Sequence, residues 1–371
     1  MPLTVAIIGC GKIADQHAEH LEYLPGWKLI AVCDREPLMA AQLQERYRVP
    51  NAFGSVDSLL SNCKPDAVLI TTPPQSHYPL AAQCMEAGCH VLVEKPFTVT
   101  YGEAEELVRI CESKRVLLTV GHYAQFSHAA RQMRSLVKSG YLGGDPLHME
   151  SYYCYDLGDP AYARALLNDP YHWVRTLPGG LLQNTISHGI SKIAEFLSDE
   201  DPQVVAHGFT SSALRGAGET GIVDELRTII RAGDVTAYFT FSSQMRPTLH
   251  HFRLFGPKNG LLVDESQQTV VRLRGKRYKS HLERFLPALD LSRQYFSNFR
   301  RNVRRFLGND LQEGHGMREL LRTFQQAIEK GGGPPIPYPE ILRTSRILDR
   351  IFDQLGTRAA NATVREQLVE R

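Results

Sequence analysis

Leu3-Thr-Val-Ala-Ile-Ile-Gly-Cys-Gly-Lys-Ile-Ala14 opens the chain with an apolar, strand-forming run that breaks into Gly9-x-Gly11-x-x-Ala14 and turns helical through Leu24. Each small residue answers a steric demand. Gly9 permits a tight strand-to-helix turn, Gly11 lets the backbone approach a pyrophosphate with no Cβ in the way, and Ala14 keeps the helix close to the sheet. The helix N-terminus adds amide N–H groups and the positive end of its dipole. A glycine fingerprint alone is a weak signal. This one follows a strand pattern and leads to a second, Lys28-Leu-Ile-Ala-Val-Cys-Asp34, which ends in an acid at the spacing of a ribose contact. A carboxylate there would hydrogen-bond the adenosine ribose of NAD and repel a 2′-phosphate, which favours NAD. Arg35 follows directly and keeps NADP open, since an arginine can pair with a 2′-phosphate, stack on adenine or face solvent.

Strand and helix patterns go on alternating beyond Asp34. A helical stretch, Pro37 to Tyr47, precedes the strand Asp66 to Thr72; a helix from about Ser76 to Ala87 precedes Cys89-His-Val-Leu-Val-Glu94; and Tyr101 to Ser113 precedes Val116 to Gly121. These apolar runs do not alternate with polar residues, as expected of parallel strands covered on both faces. The predicted first domain, residues 1–124, is therefore a Rossmann-type doubly wound parallel sheet. Its loops Thr71 to His77 and Glu94 to Phe97 fall at strand carboxyl ends, where such sheets bind ligands.

Past a helical segment from about Phe126 to Gly140 the pattern changes. Six runs become strands: 148–155, 203–210, 224–231, 235–241, 251–256 and 260–264. Several alternate apolar with polar side chains, the mark of a mainly antiparallel sheet with one covered face. A helix over about Gly180 to Leu197 is expected to cover it. Residues 125–371 thus form an α+β domain for substrate binding and oligomerisation. Its last helix, about 339–355 and after the Gly331-Gly-Gly-Pro-Pro335 break, is expected to pack back on the first domain, and the tail after Gly356 to be loosely held.

The 371 residues, 43% of them apolar, suffice for two such domains. A formal net charge of +2 argues against nucleic-acid binding, which calls for a basic excess. The seven cysteines, at 10, 33, 63, 84, 89, 111 and 154, form no CxxC pair and suit a reducing cytoplasm. No signal-peptide pattern precedes the first strand, and no apolar run nears the roughly 20 residues that span a bilayer. The expected location is the cytoplasm.

Gly9-Cys-Gly-Lys-Ile-Ala14, Thr72-Pro-Pro-Gln-Ser-His77, Glu94-Lys-Pro96, Ser139-Gly-Tyr-Leu-Gly143 and Gly179-Gly-Leu-Leu-Gln-Asn-Thr-Ile-Ser-His188 together resemble the Gfo/Idh/MocA oxidoreductase family, named for glucose-fructose oxidoreductase and inositol dehydrogenase. The glycine fingerprint is shared by many families, whereas Glu-Lys-Pro followed by Gly-Gly-(x)7-His is specific. The resemblance implies an NAD(P)-dependent oxidoreductase of sugars, cyclitols or nucleotide sugars that assembles as a homodimer or homotetramer. It makes Lys95 the family's central lysine, between nicotinamide and substrate, and His188 the histidine that exchanges a proton with the reacting hydroxyl. Asn184 lies four residues earlier on the same helical face, where many members carry aspartate. Gly9, Gly11, Lys12, Ile13, Ala14, Asp34, Arg35, Thr71, Thr72, Pro73, His77, Glu94 and Lys95 are expected to hold the cofactor. Tyr123, Tyr153, His172 and Trp173 are candidates for the substrate pocket, with core packing as their alternative; no metal is expected. Ala124-Gln125-Phe126 lacks the arginine that many members carry before the phenylalanine. The resemblance extends to members that bind the dinucleotide without turnover, so a regulator or scaffold is the alternative reading.

Residues 293–305, Arg-Gln-Tyr-Phe-Ser-Asn-Phe-Arg-Arg-Asn-Val-Arg-Arg, lie outside these motifs and interleave five arginines with aromatics. They can be read as a site for a nucleotide-sugar pyrophosphate, as a basic amphipathic helix on an anionic membrane, or as a solvated helix docked by its aromatics. The third is the expectation.

Overall fold

The non-alternating apolar runs of the first third become strands buried on both faces in a computed structural model that describes residues 1–157, 169, 172–276, 278, 280–311 and 314–356. The tail expected to be loosely held lies outside these residues. Two compact units emerge: Met1–Tyr123 with Gly316–Ser345, and Ala124–His315 with Arg346–Arg371. Residues 316–345 fall within the stretch read as the second domain, yet they group with the first unit.

The first unit carries strands β1 (Leu3–Ile8), β2 (Trp27–Cys33), β3 (Asn51–Phe53), β4 (Ala67–Ile70), β5 (His90–Val93) and β6 (Leu118–Val120), all parallel, in the order β3-β2-β1-β4-β5-β6. This is the doubly wound order, and it reverses between β1 and β4. Val5, Ala6, Ile7 and all four residues of β4 have no exposed surface, so helices must cover both sides. One of them, Tyr101–Lys114, starts on a Thr100/Glu103 capping box, which satisfies two otherwise orphaned amides. The later helix His315–Lys330 brings Phe324 onto Trp27, with ring centroids 6.4 Å apart. Tyr338 Oη accepts the Leu118 N–H at 3.2 Å.

The second unit is built on a seven-stranded sheet of β7 (His148–Cys154), β8 (Gln203–Phe209), β9 (Glu225–Ala232), β10 (Val235–Ser242), β11 (His250–Phe255), β12 (Asn259–Asp264) and β13 (Thr269–Arg274). Its order is β13-β12-β11-β7-β10-β9-β8, and only β7 and β10 pair in parallel. Alternation sets the faces as expected: Leu226, Thr228 and Ile230 of β9 are buried, while Arg227, Ile229 and Arg231 point outward. The predicted helix over 180–197 is two short helices, Gly180–Thr185 and Ser187–Ala194, joined at Ile186. All eight residues of Ser187–Ala194 are buried on the sheet. Gly189 is required there, because a Cβ would run into the Phe239 ring, and its carbonyl accepts from Ser151 Oγ at 3.0 Å.

The helix Leu286–Leu307 corrects the reading of residues 293–305. Its aromatics do not dock it: Tyr295, Phe296, Phe299 and Phe306 are exposed, and its buried residues are Gln294 and Asn298. Beyond its C-terminus, His128, Asp310 and His315 bring metal-ligating atoms within 4.8 Å of one another. Arg131 donates to His128 Nδ1 at 3.0 Å and Arg305 adds a second positive field, so the surroundings oppose a cation. The visible work of the cluster is to tie this connection to the helix His128–Lys138, through His128 Nε2 and the Asp310 carbonyl at 2.9 Å.

Candidate active site

Two clusters of chemically capable side chains stand out, one in each unit. In the first, the turn after β1 is shaped by its neighbours. Gly9 sits at φ +92°, and a Cβ there would meet the Thr72 amide nitrogen at 2.8 Å. A side chain at Gly11 would meet nothing within 4 Å, so the surface above it is open. Gly11 also begins the helix Lys12–Tyr23, whose first amides no side chain caps. This is the arrangement a phosphate requires. Asp34 closes the turn, accepting from the Cys10 N–H at 2.7 Å and the Glu36 N–H at 2.9 Å. Burial, and then the Asp34 charge, pushes the Cys10 thiol up to about 12, so it packs rather than reacts.

Across the β1–β4 switch point, Thr71 Oγ1 donates to the Gly9 carbonyl at 2.6 Å and fixes the two loops together. Thr72 is half-buried, while Lys12, Arg35 and Pro73 are exposed. His77 is fully buried. Its Nε2 meets the Thr72 carbonyl at 2.7 Å and its Nδ1 the Pro96 carbonyl at 2.9 Å, so the ring braces the Thr72 loop against the Lys95 loop. Burial lowers its pKa against the pull of those carbonyls.

The end of β5 carries Glu94 and Lys95, with a cis bond to Pro96. Glu94 is 3% exposed and accepts from His17 Nε2 at 2.7 Å and from the Lys95 N–H at 3.1 Å. Burial works to raise its pKa, but the His17 hydrogen bond and the Lys95 charge outweigh it and hold the carboxyl below its ordinary value. Desolvation pulls the half-buried Lys95 ammonium down, with Glu94 opposing. Burial above all drives His122, after β6, down to about 4, with Lys95 adding to it and Glu94 opposing. No sequence motif marks His17 or His122. His17 shares the buried face of its helix with Ala14, Ala18 and Leu21, a pattern that reads as a core histidine.

In the second unit, Ile186 lies near helical geometry (φ −76°, ψ −14°), so the helical path from half-buried Asn184 to buried His188 continues through it. His188 stacks on Tyr153 with centroids 5.4 Å apart, and Tyr153 also stacks on His250 at 4.6 Å. Lys192 Nζ stands 5.8 Å from the Tyr153 ring and pairs with Glu265 at 2.5 Å. Burial, then the Glu265 charge, raises the Tyr153 phenol, which stays a neutral donor at working pH. His250, Lys192 and Glu265 carry no motif. His172 and Trp173 stack on each other at 5.6 Å, and Trp173 packs on a separate apolar cluster of Leu157, Val174, Leu181, Leu214 and Ile222. Tyr123 ends the first unit, half-buried, in a short 3-10 helix. Gln125 donates to the Ser191 carbonyl at 3.4 Å and so serves packing.

Residues 3–122 match the model of the Gfo/Idh/MocA oxidoreductase family, NAD-binding Rossmann fold. The chain is 34% identical over 143 residues to a D-glucoside 3-dehydrogenase of Escherichia coli (strain K12), covering 38% of this chain and 41% of that protein. It is 26% identical over 310 residues to the myo-inositol dehydrogenase Hyg17 of Streptomyces leeuwenhoekii, covering 82% and 87%. It spans about two fifths of the length of the first curated relatives it matches. The solved UDP-N-acetylglucosamine 3-dehydrogenase of Acidithiobacillus ferrooxidans has the same fold at a TM-score of 0.69 and 19% identity, over 95% of this chain and 98% of that one. Residues 3–122 carry the NAD-binding Rossmann fold of the Gfo/Idh/MocA oxidoreductase family.

Proposed function

We propose that the chain is an NAD-dependent dehydrogenase or reductase acting on a CH–OH carbon of a sugar, cyclitol or nucleotide sugar. The observation that carries the proposal is Lys95. It is desolvated at a strand end of the NAD-binding unit and backed by the buried Glu94–His17 pair. Gly9, Gly11, the uncapped helix start and Asp34 fit the dinucleotide. NAD, when bound, supplies the hydride acceptor. In this reading Lys95 donates a hydrogen bond to the reacting oxygen and stabilises its growing negative charge. His188 takes or returns the hydroxyl proton, and Tyr153, stacked on it, holds its ring in place. Asn184 orients without adding charge, which leaves a cofactor-binding regulator as the rival reading. The outward side chains Val205, Ile229 and Tyr238 of the sheet support a homo-oligomer as the working form.

The test is absorbance at the reduced-nicotinamide band, with purified protein, NAD(H), and a panel of sugars, cyclitols and nucleotide sugars. Turnover on one class is the expected result. Tight NAD binding with no turnover on any class would favour the regulator. For the cofactor, Asp34→Ala is expected to weaken NAD about tenfold or more, the worth of a charge-assisted hydrogen bond, and to narrow the gap to NADP in titrations of each. A wild type that prefers NADP would refute the assignment.

A further inference from the structure

The helix Leu286–Leu307 is amphipathic in the opposite sense from a helix that packs on a sheet. Its inward face is polar. Gln294 accepts from the Arg272 N–H at 2.8 Å and donates to the Arg272 carbonyl at 3.1 Å, Asn298 donates to the Val270 carbonyl at 3.0 Å, and Asn302 to the Gln267 carbonyl at 2.7 Å. These amides satisfy the free edge of β13 much as another strand would. At 100° per residue, Phe296, Phe299, Val303, Phe306 and Leu307 fall on the side away from Gln294 and Asn298. They are between 38% and 78% exposed. Leu282, Phe285 and Leu289 extend the apolar surface along and before the helix. A contiguous patch of this kind is a docking surface.

Charge decides what docks. The helix holds five arginines and one acid. Arg293, Arg300 and Arg304, spaced i, i+7 and i+11, line one flank of the apolar face and are exposed. The acid, Asp290, stands 3.9 Å from Arg274 at the edge of the sheet. A second copy offering the same face would set these three exposed arginines near their own copies, while the helix's single acid, Asp290, already faces Arg274. An anionic lipid surface answers both features: phosphates take the guanidinium forks, and the acyl boundary takes the phenylalanines.

We propose that this helix lies along the headgroup–acyl boundary of an anionic phospholipid membrane and holds the chain there peripherally. The proposal is independent of the catalytic reading. It needs no membrane crossing, and no helix among the described residues is long and apolar enough for one.

The test is co-sedimentation of the full chain with vesicles of phosphatidylcholine alone and of phosphatidylcholine mixed with phosphatidylglycerol, at low and high salt. Binding to the mixed vesicles, weakened by salt, is expected. Arg293→Gln, Arg300→Gln and Arg304→Gln together should lower that partitioning by about fivefold per arginine. Phe296→Ser, Phe299→Ser and Phe306→Ser together should abolish it while circular dichroism is unchanged. Should the serine variant misfold, the arginine series still decides. No sedimentation with mixed vesicles, or equal sedimentation with both kinds, overturns the proposal. So does light scattering that shows a wild-type oligomer lost in the serine variant with no vesicle binding, because the face then belongs to a second copy.

Discussion

Lys95→Met is expected to lower kcat by about 10²- to 10³-fold, the usual loss when one donor to a developing oxyanion is removed. Methionine keeps the length and apolar stem of the lysine but removes its charge and all three donors. The fold should tolerate it, because Glu94 keeps its 2.7 Å partner His17 and the backbone N–H at position 95 can still reach the same carboxylate. NAD affinity should change far less than kcat, since Gly9, Gly11 and Asp34 supply contacts from other loops. Steady-state absorbance on the substrate found in the panel measures the first quantity, and calorimetric titration with NAD the second. A variant with full turnover would remove Lys95 from the mechanism. A variant with collapsed turnover and lost NAD binding would show that Lys95 holds the dinucleotide instead.

The features legible in the sequence are those set by neighbours along the chain. The turn at Gly9, the acid 25 residues later at Asp34 and the uninterrupted apolar runs of β1, β2, β4 and β5 each announce themselves within a short window. Features set by distant partners do not. β3 is three residues long and lies at a sheet edge, too short for periodicity to register, and β13 is absent from the expected strands. The pair His17–Glu94 joins residues 77 apart, and Lys192–Glu265 residues 73 apart; nothing in their spacing marks them. The Arg-rich helix shows the limit most clearly. Periodicity gives an amphipathic helix, but the choice of docking face belongs to β13, whose unpaired edge wants amides and takes Gln294 and Asn298 over the phenylalanines.

Acidification should weaken the first unit, and His122 is one of the residues responsible. Its pKa is about 4 in the folded chain against 6.5 for an ordinary histidine. Between those values the unfolded chain binds a proton that the folded chain refuses, so stability falls as pH falls through that window. The shift is worth about 3 kcal/mol, with a slope approaching about 1.4 kcal/mol per pH unit near its middle. His77, also depressed by burial, acts with the same sign. Glu94, held below 4.5, contributes stability that is present above that value and is lost as pH drops through its lowered pKa. His122→Gln removes one of these contributions alone. Urea unfolding of the full chain from pH 7 to pH 4 should show a flatter curve for the variant, the wild type losing more stability than the variant across that window. Parallel curves would mean that His122 keeps an ordinary pKa. Because burial exceeds the Lys95 charge as the cause, the His122 slope should largely survive Lys95→Met. If that substitution abolished the slope, charge repulsion rather than desolvation would be what keeps His122 neutral.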